Sequence, residues 1–248
     1  MKAMILAAGL GTRLRPLTDT LPKALMDIGG VTMLETVLSR LASCGVTEVI
    51  VNTHHLADKL TDFIHNNNCA GVKIKISREA AFPLETGGGL KNAAWFFKDG
   101  GPFFLYNCDV FTDMDLSAML ADHLKNGALA TLAVKERPSD RQLLFDESLS
   151  LRGRSNSKKG AAQWTGEPLK DPLKLAFSGI HVISPEIFPL ITETGAFSIT
   201  DVYLRLAGAG SKIRGFRMDG YYWQDIGSAE KLEAVRRWVA ERGRDWDK

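Results

Sequence analysis

The sequence predicts a doubly wound α/β fold, a single domain over residues 1–248 built on a mostly parallel mixed sheet. Apolar strand segments alternate with amphipathic helical segments from the start, and consecutive parallel strands need helical crossovers. The opening run Ala3-Met4-Ile5-Leu6-Ala7-Ala8 is apolar at every position, as befits a strand covered on both faces. No long linker and no internal repeat divides the 248 residues.

Each element has its own local signal. Met33, Leu34, Val37, Leu38 and Leu41 fall at helical spacing, with Thr32 and Glu35 as a capping box and Gly45 as the stop. Glu48 to Asn52 reads as the second strand. Leu56, Leu60, Phe63 and Ile64 mark one face of a helix that ends near Asn66-Asn67-Asn68. Val72 to Ile76 alternates, as a strand with one wet face does. Gly87-Gly88-Gly89 reads as a turn leading into a helix through Lys98, followed by strands at Pro102 to Asn107 and Leu129 to Val134.

The middle of the chain departs from this rhythm. Gln142 to Phe145 and Leu149 to Leu151 flank Asp146-Glu147-Ser148 and predict a hairpin. Arg152 to Pro168 is polar and rich in Gly, Ser and Lys, which predicts a mobile surface loop. Leu175 to Ile183 returns to strand character, and Pro185 to Leu190, Thr200 to Leu206 and Ala229 to Val239 predict helices.

Composition narrows the function. With 31 Lys and Arg against 29 Asp and Glu, the net charge of +2 argues against coating nucleic acid or an anionic membrane. Cys44, Cys69 and Cys108 form no C-x-x-C pair, as in a reduced compartment. The apolar start is too short for a secretory leader, and nothing approaches the length of a membrane span. The expectation is a cytoplasmic protein.

The most informative stretch follows the first strand: Gly9-Leu10-Gly11-Thr12-Arg13-Leu14-Arg15-Pro16-Leu17-Thr18, then Pro22-Lys23. In an open α/β sheet this is where ligands bind. Glycines admit phosphate close to the backbone, Arg13 offers a fork of donors and Lys23 a point charge. A Gly-x-Gly also makes plain tight turns. A dinucleotide fingerprint would need a third glycine where Leu14 stands, and no Gly-Lys-Ser/Thr of a P-loop follows.

Gly9-x-Gly11-Thr12-Arg13-Leu14-x-Pro16-x-Thr18 with Pro22-Lys23 resembles the signature of the sugar-1-phosphate nucleotidylyltransferases. The resemblance continues through Glu85-Thr86-Gly87-Gly88-Gly89, Asn107-Cys108-Asp109, Phe177-Ser178-Gly179-Ile180 and Trp223-Gln224-Asp225-Ile226-Gly227. The short chain and the Pro83 to Gly88 run are most similar to the N-acetylmuramate-1-phosphate uridylyltransferase branch, with mannose-1-phosphate and heptose-1-phosphate nucleotidylyltransferases close behind.

The resemblance implies the Rossmann-like fold of these transferases and a set of roles. Arg13 and Lys23 would be catalytic. Leu6, Ala8, Gly9, Gly11, Thr12, Arg13, Lys23, Glu85, Gly87 and Gly88 would bind nucleoside triphosphate. Asn107, Gly179 and Asp225 would meet the sugar-1-phosphate, and Asp109 with Asp225 would hold Mg²⁺, which favours oxygen ligands. The residues alone leave other uses open: Asp109 as a turn cap, Asp225 as a helix cap, Glu85 to Gly89 as close packing, and Phe177 to Gly179 as a bulge. Asp113-Met114-Asp115 matches the D-x-D of metal-dependent glycosyltransferases, or a helix N-cap. A catalytically silent regulatory subunit on the same fold is a further alternative. The chain also departs from the family pattern. Cys108 stands where Gly usually precedes the metal Asp, and Ala24 and Asp27 stand where prolines are common. No Glu-Lys-Pro precedes Phe177, whose nearest lysines are Lys170 and Lys174.

Overall fold

Alternation along each strand sorts the core into two layers. Ala3 and Ile5 face one apolar layer with Val49, Val51, Phe104, Tyr106, Ile180 and Val182. Met4, Ile50, Phe103, Leu105 and Ile183 face the other. A sheet buried on both faces reads as the continuous apolar runs seen in the sequence. The computed structural model describes residues 1–67 and 69–243. Asn68, at the expected helix end, and residues 244–248 of the expected domain lie outside them.

The strands are β1 (Lys2–Leu6), β2 (Glu48–Thr53), β3 (Lys73–Arg78), β4 (Phe103–Asn107), β5 (Val110–Thr112) and β6 (Ala130–Lys135). After them come β7 (Arg141–Phe145), β8 (Leu151–Asn156), β9 (Ala161–Trp164), β10 (Leu173–Ile183), β11 (Ile213–Arg217) and β12 (Trp223–Asp225). The helices are α1 (Leu17–Thr20), α2 (Met33–Ser43), α3 (Ala57–Asn66), α4 (Glu85–Asn92), α5 (Leu116–Asn126), α6 (Ile199–Gly208) and α7 (Ala229–Arg242).

β1, β2, β3 and β4 pair in parallel in the order β3-β2-β1-β4. β10 runs antiparallel to both β4 and β6, and β11 is parallel to β6. The sheet is therefore mixed and mostly parallel. Helices α2, α3, α5 and α7 supply buried residues to the first layer, α4 and α6 to the second, which makes the winding double. The strand order reverses between β1 and β4, a switch point that opens a crevice at their carboxyl ends.

The capping box on α2 is formed: Glu35 N donates to Thr32 Oγ1 (3.2 Å), and Thr32 N to Glu35 Oε2 (2.8 Å). Two expectations are corrected. Arg152 to Pro168 is not a loop throughout, because β8 and β9 pair antiparallel and extend the hairpin begun by β7. β8 is largely polar and β9 is largely exposed, which hides a pairing carried by the backbone. Gly87-Gly88-Gly89 is not a turn ahead of a helix but the interior of α4. Glycine disfavours a helix by about 1 kcal/mol, so packing must override propensity there.

Candidate active site

The segment after β1 folds over the crevice. Thr18 Oγ1 donates to Gly11 O (2.8 Å) and ties the loop to α1. Gly11 has φ 64°, and a Cβ there would sit 2.8 Å from Thr18 Cγ2, so both conformation and space require glycine. Gly9 has open space where a side chain would go. The Arg15–Pro16 peptide is cis.

A cavity of about 470 Å³ lies against this segment. Leu6, Ala8, Gly9, Gly11, Thr12, Arg13, Lys23, Glu85, Asn107 and Asp109 all line it. Lys170 and Lys174 do not. Gly87 and Gly88 do not line it. Both amides donate to Phe197 O (2.8 and 3.3 Å), so neither N–H is open to a base. A Cβ on Gly87 would meet the Phe197 ring, and one on Gly88 the Gly195 carbonyl, both at 2.5 Å. They let α4 pack tightly behind the wall formed by Glu85 and Thr86.

Two acids remote in sequence meet at one edge. Asp109 immediately precedes β5, and Asp225 ends β12; these strands pair antiparallel with Asp225 opposite Val110. Ile226 N donates to Asp109 O (2.9 Å), which fastens the two segments together. Lys23 Nζ bonds Asp109 Oδ2, and Lys231 Nζ bonds Asp225 Oδ2 (2.5 Å). Burial presses the Asp225 pKa upward, but the Lys231 bond, the Gly227 N–H and the nearby Lys23 charge more than offset it. Its carboxyl is held below the ordinary range. A Cβ on Gly227 would lie 3.1 Å from Arg13 Nη2, so the guanidinium rests against this same turn.

Gly179 adjoins the edge rather than lining the cavity. Its φ is 80°, and a Cβ would lie 2.9 Å from Asn107 Nδ2. The pairing of β10 with β6 shifts register between Phe177 and His181, so the segment is a bulge. Asn107 Oδ1 is buried without a partner. Cys108 is buried, which drives its thiol pKa up and leaves it unsuited to nucleophilic work.

Asn52 and Glu79, which belong to no sequence motif, also line the cavity. Both are buried. Asn52 Oδ1 accepts from Ala7 N (2.7 Å), and its Nδ2 donates to Glu79 Oε1 (2.7 Å). Glu79 Oε2 accepts from Leu84 N (2.7 Å). This chain of bonds locks the loop after β1 to the wall ahead of α4. The one available signal was position, since each stands at the carboxyl end of a strand.

The D-x-D acids serve the fold. Asp115 caps α5 by accepting from Ala118 N (2.9 Å), and Asp113 accepts from Tyr222 N (2.7 Å). Among the described residues no group of three or more His, Cys, Asp or Glu forms a ready-made metal cage.

Comparison with known proteins gives a consistent picture. The family described as "Nucleotidyl transferase" matches residues 2–242. N-acetylmuramate alpha-1-phosphate uridylyltransferase of Neisseria meningitidis is 35% identical over 95% of this chain and 97% of its own. The protein of the same name from Caulobacter vibrioides is 31% identical over 96% of this chain and 97% of its own. The solved UDP-glucose pyrophosphorylase from Acinetobacter baumanii superposes with a TM-score of 0.82 at 20% identity, covering 99% of this chain and 95% of that one, a likeness of fold.

Proposed function

The chain belongs to the nucleotidyl transferase family and is a sugar-1-phosphate nucleotidyltransferase in type, and from that premise we propose that it transfers uridylyl from UTP to N-acetylmuramate 1-phosphate. The domain spans residues 1–248, and cytoplasmic substrates suit it; no helix among the described residues is long and apolar enough to cross a membrane. One observation carries the reading. A glycine-floored cavity at the sheet's switch point ends at an edge where Asp109, Asp225, Lys23 and Arg13 converge. The choice of uridine and of the sugar acid is supported by the two relatives.

In the proposed reaction an oxygen of the sugar 1-phosphate attacks the α-phosphorus of the triphosphate. A new P–O bond forms, the bond to the β-phosphate bridging oxygen breaks, and pyrophosphate leaves with that electron pair. The attacking oxygen is already anionic at neutral pH, so no side chain need remove a proton. The obstacle is repulsion between polyanions. Main-chain N–H groups from Gly9 to Thr12 offer donors to the phosphates. Arg13 neutralises the departing pyrophosphate, and Lys23 stands by the reacting phosphates. Glu85, Asn52 and Glu79 wall the nucleotide end, and Asn107, with its unpaired Oδ1, faces the sugar end.

The donor set fits Mg²⁺. Asp109 and Asp225 are hard oxygen donors at one edge, and Mg²⁺ commonly takes one or two carboxylates plus substrate phosphates. When bound there, the ion supplies charge that offsets the phosphate oxygens. Lys23 and Lys231 hold these carboxylates and stand where the phosphates would meet.

The test is pyrophosphate release in a matrix of four nucleoside triphosphates against several sugar 1-phosphates with Mg²⁺. The reading expects the highest kcat/KM for UTP with N-acetylmuramate 1-phosphate. A clear preference for another pair overturns the substrate assignment, and release with no pair overturns the activity.

A further inference from the structure

Arg137 stands two residues past β6, near the charge of Asp225. Its Nη2 donates to Phe177 O (2.9 Å), and its guanidinium lies 3.9 Å from the centre of the Trp223 ring. Trp223 is itself fixed, since Nε1 donates to Ser178 O (2.8 Å). The arginine is thus clamped between the bulge that carries Gly179 and the strand that ends at Asp225.

This is an unusual place for a charge. Arg137 is half-buried, its Nε is buried with no partner, and among the described residues it forms no ion pair. Burial lowers its pKa, opposed by the Asp225 charge nearby. Charges taken from water are normally paired. The neighbouring cations are already committed. Lys135 Nζ is spent on the carbonyls of Asp219 and Tyr221 (2.9 and 2.5 Å), and Lys231 on Asp225. A rigid, planar fork with spare donors is left beside the Gly179 bulge and the strand that ends at Asp225, residues the family resemblance assigns to the acceptor sugar.

Resting on the reading above, we propose that Arg137 is a specificity-determining residue that receives the carboxylate of an acidic acceptor sugar. Phosphates of both substrates must meet at the Asp109–Asp225 edge, where Lys23 and Lys231 already stand. Arg137 is anchored beside that edge, on Phe177 and Trp223, and not on either of its carboxylates. The second anion it matches is therefore one carried by the sugar itself. N-acetylmuramate differs from N-acetylglucosamine by a lactyl ether that ends in a carboxylate, and the guanidinium fork pairs with that group through two parallel N–H···O bonds.

The experiment reads a ratio: kcat/KM for N-acetylmuramate 1-phosphate over that for N-acetylglucosamine 1-phosphate, both with UTP. In Arg137→Met the ratio should fall about 10- to 100-fold, the worth of a hydrogen-bonded charge, with Arg137→Lys in between. A ratio within twofold of wild type, or equal loss on both acceptors, overturns the proposal and leaves Arg137 as a brace or a phosphate ligand. A second measurement needs no variant: wild-type enzyme given N-acetylmuramate 1-phosphate with its carboxylate turned to an amide should lose a similar factor, and no loss overturns the proposal. Failure of the broader reading is separately visible, because the unmodified enzyme would then turn over neither acceptor or prefer the neutral one.

Discussion

The two sides of the site are built on different terms. On the nucleotide side, under β1, β2 and β3, the buried polar groups facing the cavity are tied to one another: Ala7 N–H to Asn52, Asn52 to Glu79, Glu79 to Leu84 N–H. On the acceptor side, Asn107 lines the cavity with a buried Oδ1 that has no partner. Thr53 Oγ1 is an exception on the first side. A closed network holds a fixed shape, whereas an unsatisfied buried atom costs about 1–3 kcal/mol unless a ligand meets it. The contrast teaches that the nucleotide wall is held in a fixed shape, while the acceptor end keeps one polar atom open at Asn107.

The largest effect belongs to the edge between the two sides. Asp109→Asn and Asp225→Asn should each lower kcat by about 10³ with the fold intact, because charge stabilisation at the reacting phosphates is lost. Turnover assays with circular dichroism as the fold control check this, and a drop below tenfold in either variant breaks the account. Arg13→Ala, which removes a charge from the pyrophosphate side, should cost about 10² in kcat. Near-normal turnover refutes its role.

The comparison sharpens with smaller effects. Glu79→Ala cuts the closed network, so KM for the triphosphate should rise about tenfold, the worth of one charge-assisted hydrogen bond, while KM for the acceptor stays put. A rise in the acceptor KM instead would reverse the assignment of sides. The mildest test concerns His181, whose Nδ1 meets Tyr203 OH (2.9 Å) and whose pKa burial pushes down to about 3. An unfolded histidine takes up its proton near pH 6.5, and the folded one does not. Stability is thus fully present above pH 6.5 and is lost as pH falls from there toward 3, by at most about 1.4 kcal/mol per pH unit. Urea unfolding at pH 7 and 5 should show the loss in wild type and less of it in His181→Gln.

Much of the first side was legible in the sequence because its signals are local. The strand after Lys2, the capping box of Thr32 and Glu35, and the glycine segment from Gly9 to Gly11 each announce themselves within a few residues. The acid pair was legible only through the family pattern, since Asp109 and Asp225 meet by strand pairing across more than a hundred positions. Elsewhere tertiary context overrode local preference. β8 is largely polar and β9 largely exposed, so no buried apolar period marks them. The glycines of α4 look like a turn because their purpose, room for Phe197 and Gly195, lies a hundred residues away. Asn52, Glu79 and Arg137 are single polar residues at strand ends and belong to no motif.

The central claim is that a nucleotidyl group passes across the edge held by Asp109 and Asp225, and label position tests it most directly. With UTP labelled in turn at the α- and γ-phosphorus and N-acetylmuramate 1-phosphate as acceptor, the α label should appear in the sugar nucleotide and the γ label in pyrophosphate, in equal amounts. Label left in free UMP or UDP, or γ label on the sugar, would contradict it.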